Sequence, residues 1–323
     1  MVSVILPSYN HADFVEEAVM SVLDQDFKNL ELIVVDDGST DETPSKVSRV
    51  KDPRIKLICL EENRRYHPRN KALNIARGRY IAFQNSDDVW SKSKLEKQLE
   101  IMEKNRNISV CFTDIEIIDE KGGILKNSWA NNSFANKNKS SAAWLRHFFD
   151  IGNCFCISSA LVRRKKLSKV GVFKPSLFQL SDFDLWVRLA SVGDIHIINE
   201  KLTSMRIAGN KNFSAPKSIT TRRSMIEYLD VLGRYKEQPV LSSVKEAFAD
   251  VIKNTDSEIG VLGDLALYAW GLSPLHIMFG NNIISEILED ESKREEMIGI
   301  YGTKIIYDYI EKRGQVEIHK LEE

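Results

Sequence analysis

Short apolar stretches alternate with segments of helical periodicity over the first 120 residues, and this alternation restricts the possible folds more than any other feature. The stretch "LELIVVDD" (residues 30–37) is almost continuously apolar until two aspartates end it, which is typical of a parallel strand covered on both faces. The same reasoning predicts strands at "VSVILPSYN", "IKLICLEE", "RYIAFQN" and "ISVCFTDIEIID", with helices over 12–27, 68–76 and 92–104. This order predicts an α/β fold whose doubly wound, mostly parallel sheet is flanked by helices.

The pattern changes twice in the remaining sequence. Residues 127–141 are rich in Asn, Lys and Ser, which predicts a loop. Beyond it, "CFCISSALVRR" and "IHIINEKLTSMRI" read as strands, and "SDFDLWVRLASVG" reads as an amphipathic helix between them. From about residue 216 the strand signals fade, and 218–235, 242–256 and 283–312 carry helical spacing. We therefore expect an α/β domain over 1–215 and a helical region over 216–323.

Composition excludes several classes of protein. The 323 residues carry a formal net charge of −1, so no global field would recruit nucleic acid, and we expect no nucleic-acid partner. The four cysteines lack the spacing of a zinc ribbon and are interpreted as reduced thiols in or near the core. We see neither a leader peptide nor an apolar window of about 18 residues. The expected location is therefore cytoplasmic, with peripheral contact at the inner face of the membrane left open.

Polar side chains follow three of the predicted strands. They are Ser8-Tyr9-Asn10, Asp36-Asp37 and Asn85-Ser86-Asp87-Asp88. In open α/β sheets, ligands bind outside the carboxyl ends of the strands. Carboxylates at that edge would repel a bare phosphate but suit a divalent cation, and through it a diphosphate. Each polar group alone could be a turn or a helix cap, but three at successive strand ends favour a ligand site.

Four segments of the chain resemble the family 2 glycosyltransferases, which have the GT-A fold. These segments are "PSYNHADFVEEAVMSVLDQ", "ELIVVDDGSTDET", "RNKALNIARGRYIAFQNSDDVW" and "SDFDLWVRLA", in the family's order and spacing over residues 2–215. The resemblance implies a Rossmann-like, mostly parallel sheet. It also implies an inverting enzyme that moves a sugar from a nucleotide diphosphate, often UDP, to an acceptor hydroxyl. The implied setting is surface polysaccharide biosynthesis, with a saccharide or a lipid-linked saccharide as acceptor.

The resemblance also implies roles for individual residues. The nucleotide-sugar donor would be bound by Pro7, Tyr9, Asn10, Asp36, Asp37, Arg69, Asn85, Ser86 and Asp87. Tyr9 would lie beside the base, and Asp37 would bind uracil. Asp87, with Asp88 beside it, stands where the family holds a divalent metal, Mn²⁺ or Mg²⁺. Asp182 stands where the family places its general base, although by itself an aspartate at the start of a helix is equally typical of a cap.

Two departures from the family pattern keep alternatives open. Asn85 stands where the family usually has an aspartate, and Ala208 where many relatives carry a histidine. Both changes predict weaker metal binding or a different donor. A degenerate domain that binds a nucleotide sugar without turnover therefore remains an alternative. A sugar nucleotidyltransferase is disfavoured because no glycine-rich basic loop follows the first strand.

The helical region is the least informative part of the sequence. Its segment "LGDLALYAWGLSPLHIMF" is apolar on most of its circumference, and Pro274 interrupts it before it could span a bilayer. Packing on the catalytic domain, a homo-oligomer interface and docking at a membrane all stay open. The first two are favoured over membrane contact.

Overall fold

The structure is a computed structural model that describes residues 1–63, 68–126, 128, 134, 136–208 and 218–315. The chain folds into two compact units. The first comprises residues 1–140, 153–176 and 192–215, and the second comprises 141–152, 177–191 and 216–323. The predicted domain boundary near residue 215 lies outside the described residues and stays a prediction.

The first unit contains one sheet of eight strands in its described part. They are β1 (Val2–Ser8), β2 (Leu30–Asp36), β3 (Ile55–Cys59), β4 (Tyr80–Phe83), β5 (Val89–Trp90), β6 (Ile108–Ile118), β7 (Leu161–Arg163) and β8 (Asp194–Arg206). The strand order is β3-β2-β1-β4-β7-β6-β8-β5. Strands β1 to β4 are parallel, β6 and β8 are parallel, and β7 runs antiparallel to both of its neighbours. The mostly parallel α/β architecture expected from the sequence is confirmed.

Thirteen α-helices occur in the described part of the chain. They are α1 (Val15–Leu23), α2 (Thr43–Arg49), α3 (Pro68–Ile75), α4 (Lys94–Lys104), α5 (Ser141–Asp150), α6 (Arg164–Val170), α7 (Ser181–Ala190), α8 (Ser218–Gly233), α9 (Leu241–Ala247), α10 (Glu258–Ala269), α11 (Pro274–Glu289), α12 (Glu291–Tyr301) and α13 (Lys304–Gln315). Helices α1–α4 and α6 belong to the first unit, and the others to the second. None of the helices in the described ranges is both long enough and apolar enough to cross a lipid bilayer.

Strand β1 lies at the point where the strand order reverses. The chain runs from β1 to β2 and β3 on one side, and then returns to β4 on the other side of β1. Ser8 pairs with Asp36 at the carboxyl ends of β1 and β2, while Ile5 pairs with Phe83 at the end of β4. The turns that follow these three strands are therefore neighbours. Open α/β sheets bind ligands at this position.

The core of the first unit explains why these strands form. Val4, Leu6 and Val34 in the central strands are fully buried, as are Val19 and Val22 on α1. Burying a side chain of this size contributes about 1.5–3 kcal/mol, which outweighs the modest intrinsic preferences of short strands. The polar residues begin only where the strands leave this core.

The second unit is built around an aromatic core. The ring of Phe149 on α5 lies 4.9 Å from Tyr235, 5.1 Å from Phe248, 5.0 Å from His276 and 5.6 Å from Phe279, measured between ring centroids. Edge-to-face aromatic pairs at these distances add to the free energy of burial. The apolar segment that includes α10 and α11 is thus largely core within its own unit.

Several predicted elements differ from the structure. The segment "CFCISSALVRR" was expected to be one strand, but it forms a 3₁₀ turn (Ile157–Ser159) followed by the three-residue β7. Helices α2, α5 and α6 and strand β5 were not expected. The helix expected over 283–312 is divided among α11, α12 and α13. Of the loop expected over 127–141, residues 127, 129–133 and 135 lie outside the described residues.

Candidate functional site

The turns after β1 and β2 are joined by side chains. The Ser8 hydroxyl donates to Asp36 Oδ1 at 3.0 Å, and the Asn10 N–H donates to Ser39 Oγ at 2.9 Å. In return, the Thr40 N–H donates to Asn10 Oδ1 at 2.8 Å. Asn10 has a φ of +49°, a left-handed conformation that asparagine tolerates better than most residues. The side chain of Asn10 therefore holds two turns together.

Asp36 and Asp37 have different surroundings. Asp36 is 1% exposed, and its carboxylate also accepts hydrogen bonds from the N–H and hydroxyl of Ser39, at 2.8 and 2.6 Å. Asp36 thus braces the turn from within. Asp37 is 6% exposed, and its N–H donates to the Ser8 carbonyl at 2.8 Å.

Pro7 and Tyr9, also expected to bind the nucleotide, lie on either side of Ser8. Pro7 lies inside β1, opposite Val35. Tyr9 follows the strand and keeps 42% of its surface exposed. An exposed aromatic ring at the switch point could stack on a nucleobase, as the resemblance implies for Tyr9.

His11 joins the turn after β1 to the turn after β4. Its ring Nδ1 lies 2.7 Å from Ser86 Oγ, and its backbone N–H donates to Thr43 Oγ1 at 2.8 Å. Ser86 is 3% exposed. The three polar turns that the sequence places at separate strand ends therefore converge in the structure.

Asp88 is held by three donors from separate parts of the chain. Its Oδ2 accepts hydrogen bonds from the Ser158 hydroxyl and from Asn85 Nδ2, the latter at 3.1 Å, and its Oδ1 accepts from the Arg206 N–H at 3.0 Å. Burial, and then the neighbouring charge of Asp87, raise the pKa of Asp88 to about 7, although these hydrogen bonds oppose the shift. The carboxylate of Asp88 thus holds the acidic turn, residues 85–88, against the sheet.

Arg206 supports the same turn from β8. Its guanidinium donates to the carbonyls of Asp87 at 2.8 Å, Asp119 at 3.0 Å and Glu120 at 3.1 Å, and pairs with Glu17 at 2.6 Å. Sequence reasoning did not include Arg206 among the site residues. The available signal was an arginine among apolar residues at the end of a predicted strand, since a buried arginine requires several acceptors.

Asn85 uses both ends of its amide. Its Oδ1 accepts from Arg69 Nη2 at 2.9 Å, while its Nδ2 donates to Asp88. An aspartate at this position would bring another carboxylate against Asp88 and would have no N–H to donate. The departure from the family pattern at residue 85 is therefore consistent with this hydrogen-bond network.

The acidic turn fits a metal that arrives with a diphosphate. Within the described ranges, no three His, Cys, Asp or Glu side chains are arranged to hold a metal ion together. Asp87 is 7% exposed and Asp88 only 1%, so Asp87 is the more accessible of the two candidate ligands. Mg²⁺ is commonly held by one or two carboxylates together with substrate phosphates, and this donor set suits such a site. The assignment of Asp87 and Asp88 as metal ligands stays a prediction.

Asp182 belongs to the second unit, in the first turn of α7. Its Oδ1 accepts a hydrogen bond from the Phe183 N–H at 2.8 Å, and the residue is half-buried. Two positions further on, Asp184 is fully buried and paired with Arg188 and Arg234. The role of Asp182 as general base stays a prediction, as do the roles of the nucleotide-binding residues.

The family model for "Glycosyl transferase family 2" matches residues 3–171. The chain therefore belongs to glycosyl transferase family 2. Three of the four motifs quoted from the sequence lie within the matched residues. The motif that contains Asp182 lies beyond them. Relatives include the Escherichia coli UDP-Glc:alpha-D-GlcNAc-diphosphoundecaprenol beta-1,3-glucosyltransferase WfgD, which is 33% identical over 74% of this chain and 88% of its own length.

Another relative shares a shorter region. The Bacillus subtilis (strain 168) protein TuaG, named a putative teichuronic acid biosynthesis glycosyltransferase, is 48% identical over 38% of this chain. This match covers 49% of the length of TuaG. The match to an uncharacterized glycosyltransferase from Rickettsia felis covers 34% of that protein. The chain thus corresponds to half or less of some of its relatives.

Solved structures show the same fold. Staphylococcus aureus TarS (residues 1–349) in complex with UDP-GlcNAc has a TM-score of 0.59 at 17% identity, covering 94% of this chain and 89% of that one. A Pyrobaculum calidifontis mannosyltransferase in complex with GDP-Man and Mn²⁺ has a TM-score of 0.54 at 18% identity, covering 98% and 87%. The GT-A fold expected from the sequence is confirmed.

Proposed function

We propose that the protein is an inverting glycosyltransferase that uses a nucleotide-diphosphate sugar, with a UDP-sugar as the first donor to test. The acceptor would be a hydroxyl of a saccharide or lipid-linked saccharide in surface polysaccharide biosynthesis. The convergence of three polar turns at the switch point of the sheet carries this proposal. His11 and Ser86, 2.7 Å apart, link the turns that follow β1 and β4.

The donor side of the proposal rests on the first unit. Tyr9 would stack on the base, and Asp37 would accept hydrogen bonds from it, since both follow strands that end at the switch point. Arg69 carries a positive charge next to the acidic turn, where it would bind the diphosphate. The networks around Asp36 and Asp88 would hold the turns in place before the donor arrives.

Inversion requires the acceptor oxygen to attack the anomeric carbon opposite the departing diphosphate. A sugar hydroxyl is a weak nucleophile at neutral pH, so a carboxylate must take its proton as the new bond forms. We assign this step to Asp182 from its place in the family motif. Negative charge then grows on the diphosphate oxygen as the glycosidic bond breaks.

A divalent cation held by Asp87 would supply positive charge to the diphosphate without a proton donor. A structure of similar fold supports the metal, and the name of a relative supports the UDP-sugar. WfgD is named for a UDP-sugar donor, whereas the Pyrobaculum calidifontis structure contains GDP-Man with Mn²⁺. The base of the nucleotide is therefore a question for experiment.

Calorimetric titration of UDP, GDP and dTDP, with and without Mn²⁺, tests the donor site. We expect UDP to bind more tightly with Mn²⁺, and Asp87→Asn to remove the effect of the metal while retaining part of the affinity. Binding that is independent of metal would argue against the metal role of Asp87. Absence of binding to all three nucleotides would contradict the proposal and favour the degenerate domain.

Transfer itself is tested with UDP-sugars and saccharide acceptors, with release of UDP as the readout. Asp182→Asn should reduce turnover by about 10²–10⁴-fold, the usual contribution of a general base, and leave the affinity for UDP unchanged. Unchanged turnover in this variant would contradict the assignment of the base. The expected cytoplasmic location, homo-oligomer and peripheral membrane contact belong to the same proposal and are tested by fractionation, light scattering and binding to liposomes.

A further inference from the structure

Glu227 on α8 makes an unusual set of contacts. Its carboxylate accepts three hydrogen bonds from consecutive backbone N–H groups: Phe178 to Oε1 at 2.9 Å, Gln179 to Oε2 at 2.7 Å and Leu180 to Oε2 at 2.8 Å. The side chain is 3% exposed. Three N–H groups that converge on one buried anion fix the backbone that carries them.

The fixed segment leads directly into α7. Leu180 is the residue before Ser181, where α7 begins, and Asp182 is the second residue of that helix. The three N–H groups belong to the residues just before α7, and the positive end of a helix dipole favours a carboxylate at this place. A glutamate from a helix about 45 residues later in the sequence supplies this carboxylate.

Further contacts from the same region hold α7. Arg234, just after α8, donates to Asp184 Oδ1 at 2.6 Å, and Asp184 is fully buried. The ring of Tyr228 is stacked on Phe183, with 6.0 Å between centroids and 13° between planes. These contacts hold one side of α7, whereas Glu227 holds the segment before its first turn.

We propose that Glu227 is a positioning residue for Asp182. It orients the first turn of α7 so that the Asp182 carboxylate points where the acceptor proton is taken, and the proposal rests on the role of Asp182 given above. The helical second unit then has a function in the reaction, because α8 determines how the helix with the base is presented.

The closing experiment compares four variants: Glu227→Gln, Asp182→Asn, the double variant and Asp230→Asn as a control. Gln has the shape of Glu, but its NH₂ group cannot accept a hydrogen bond from a backbone N–H. Asp230 lies on the same helix and is an exposed residue, although burial raises the pKa of its carboxyl. The control therefore removes the same charge from α8 without touching residues 178–180.

We expect Glu227→Gln to lower kcat by about 10²-fold, the effect of a misplacement of about 1 Å, with KM for the donor and affinity for UDP unchanged. The double variant should be no slower than Asp182→Asn, because Glu227 acts through Asp182. Amide hydrogen exchange should accelerate at 178–180 in Glu227→Gln, and Asp230→Asn should behave as the wild type.

The outcomes separate the two proposals. If Asp182→Asn is inactive but Glu227→Gln keeps the kcat of the wild type below its unfolding temperature, Glu227 only stabilises the fold, and this inference is overturned. A loss that simply adds to that of Asp182→Asn also overturns it. If Asp182→Asn keeps full turnover, the general-base assignment fails, and the positioning role fails with it.

Discussion

Lys94 on α4 is a buried lysine whose charge state can be measured through stability. The side chain is fully buried, with Nζ 3.0 Å from Gln98 Oε1 and 3.9 Å from the centroid of the Trp90 ring. Burial lowers the pKa of Lys94 to about 7, although the nearby thiols of Cys111 and Cys156 act in the opposite direction. A cation–π contact of about 0.5–2 kcal/mol does not offset the cost of removing an ammonium group from water.

The sign of the effect follows from proton binding. In the unfolded chain a lysine titrates near pH 10.4, whereas in the folded chain Lys94 loses its proton near pH 7. Between these values the unfolded state binds one more proton, so the free energy of unfolding rises with pH by about 1.4 kcal/mol per unit. The total cost of Lys94 at or below pH 7 is roughly 5 kcal/mol. It vanishes as pH approaches 10.4.

Lys94→Met removes this dependence and keeps most of the volume. The variant leaves Gln98 without one donor, which costs about 1–3 kcal/mol at every pH, so the slope with pH is the informative quantity. Urea unfolding between about pH 7.5 and 9.5 should show the stability gap between variant and wild type changing by about 1.4 kcal/mol per unit, in favour of the wild type at high pH.

The control is Lys97→Met, on the same helix. The side chain of Lys97 is 39% exposed and pairs with Glu200. Its removal should leave the pH slope of the wild type intact. If Lys94→Met and the wild type give parallel curves over this range at equal m-values, Lys94 is charged in the folded protein and the reasoning is refuted.

Three further predictions concern hydrogen-bond networks. Arg206→Met should lower the free energy of unfolding by about 3 kcal/mol and weaken UDP binding, because the carbonyls of Asp87, Asp119 and Glu120 lose a donor; unchanged values in urea unfolding and calorimetry would contradict this. Asn10→Ala should be less stable than Asn10→Gly in thermal unfolding, since a left-handed φ costs a Cβ-bearing residue about 1–2 kcal/mol and glycine almost nothing; an alanine variant as stable as the glycine variant would contradict it. Burial opposes ionisation of Asp264, but hydrogen bonds from the Asn254 and Lys253 N–H groups outweigh it and lower its pKa. The stability lost in Asp264→Asn should therefore be present at pH 7 and shrink below about pH 4. A pH-independent loss would show that the folded protein does not favour the ionised form of Asp264 over the protonated form.

Local patterns predicted the elements with strong periodicity. Strand β2 is almost continuously apolar and β6 is rich in β-branched residues, so both were predicted close to their observed bounds. Short elements were missed because they depend on partners distant in sequence. Strand β5 has two residues, and it forms only because Val89 and Trp90 pair with Ser204 and Thr203 of β8.

The segment around Cys154 shows how tertiary contacts override a local pattern. Alternating apolar residues predicted a strand, but Ile157–Ser159 form a 3₁₀ turn. The hydroxyl of Ser158 donates to Asp88, and the Ser158 carbonyl accepts from Trp90 Nε1 at 2.7 Å. The turn is thus specified by polar partners about 70 residues away, which no local pattern contains.

The sequence by itself determined the family, the parallel sheet and the residue types at its carboxyl edge. These follow from local hydrophobic patterns and from motifs whose residues are close together in the chain. Tertiary structure alone decided which carboxylates brace the site, because burial and hydrogen-bond partners depend on packing. Asp88, for example, accepts hydrogen bonds from Ser158 and Arg206, which lie 70 and 118 residues away in the sequence. The link from Glu227 to the segment before Asp182 is likewise invisible until α8 packs beside α7.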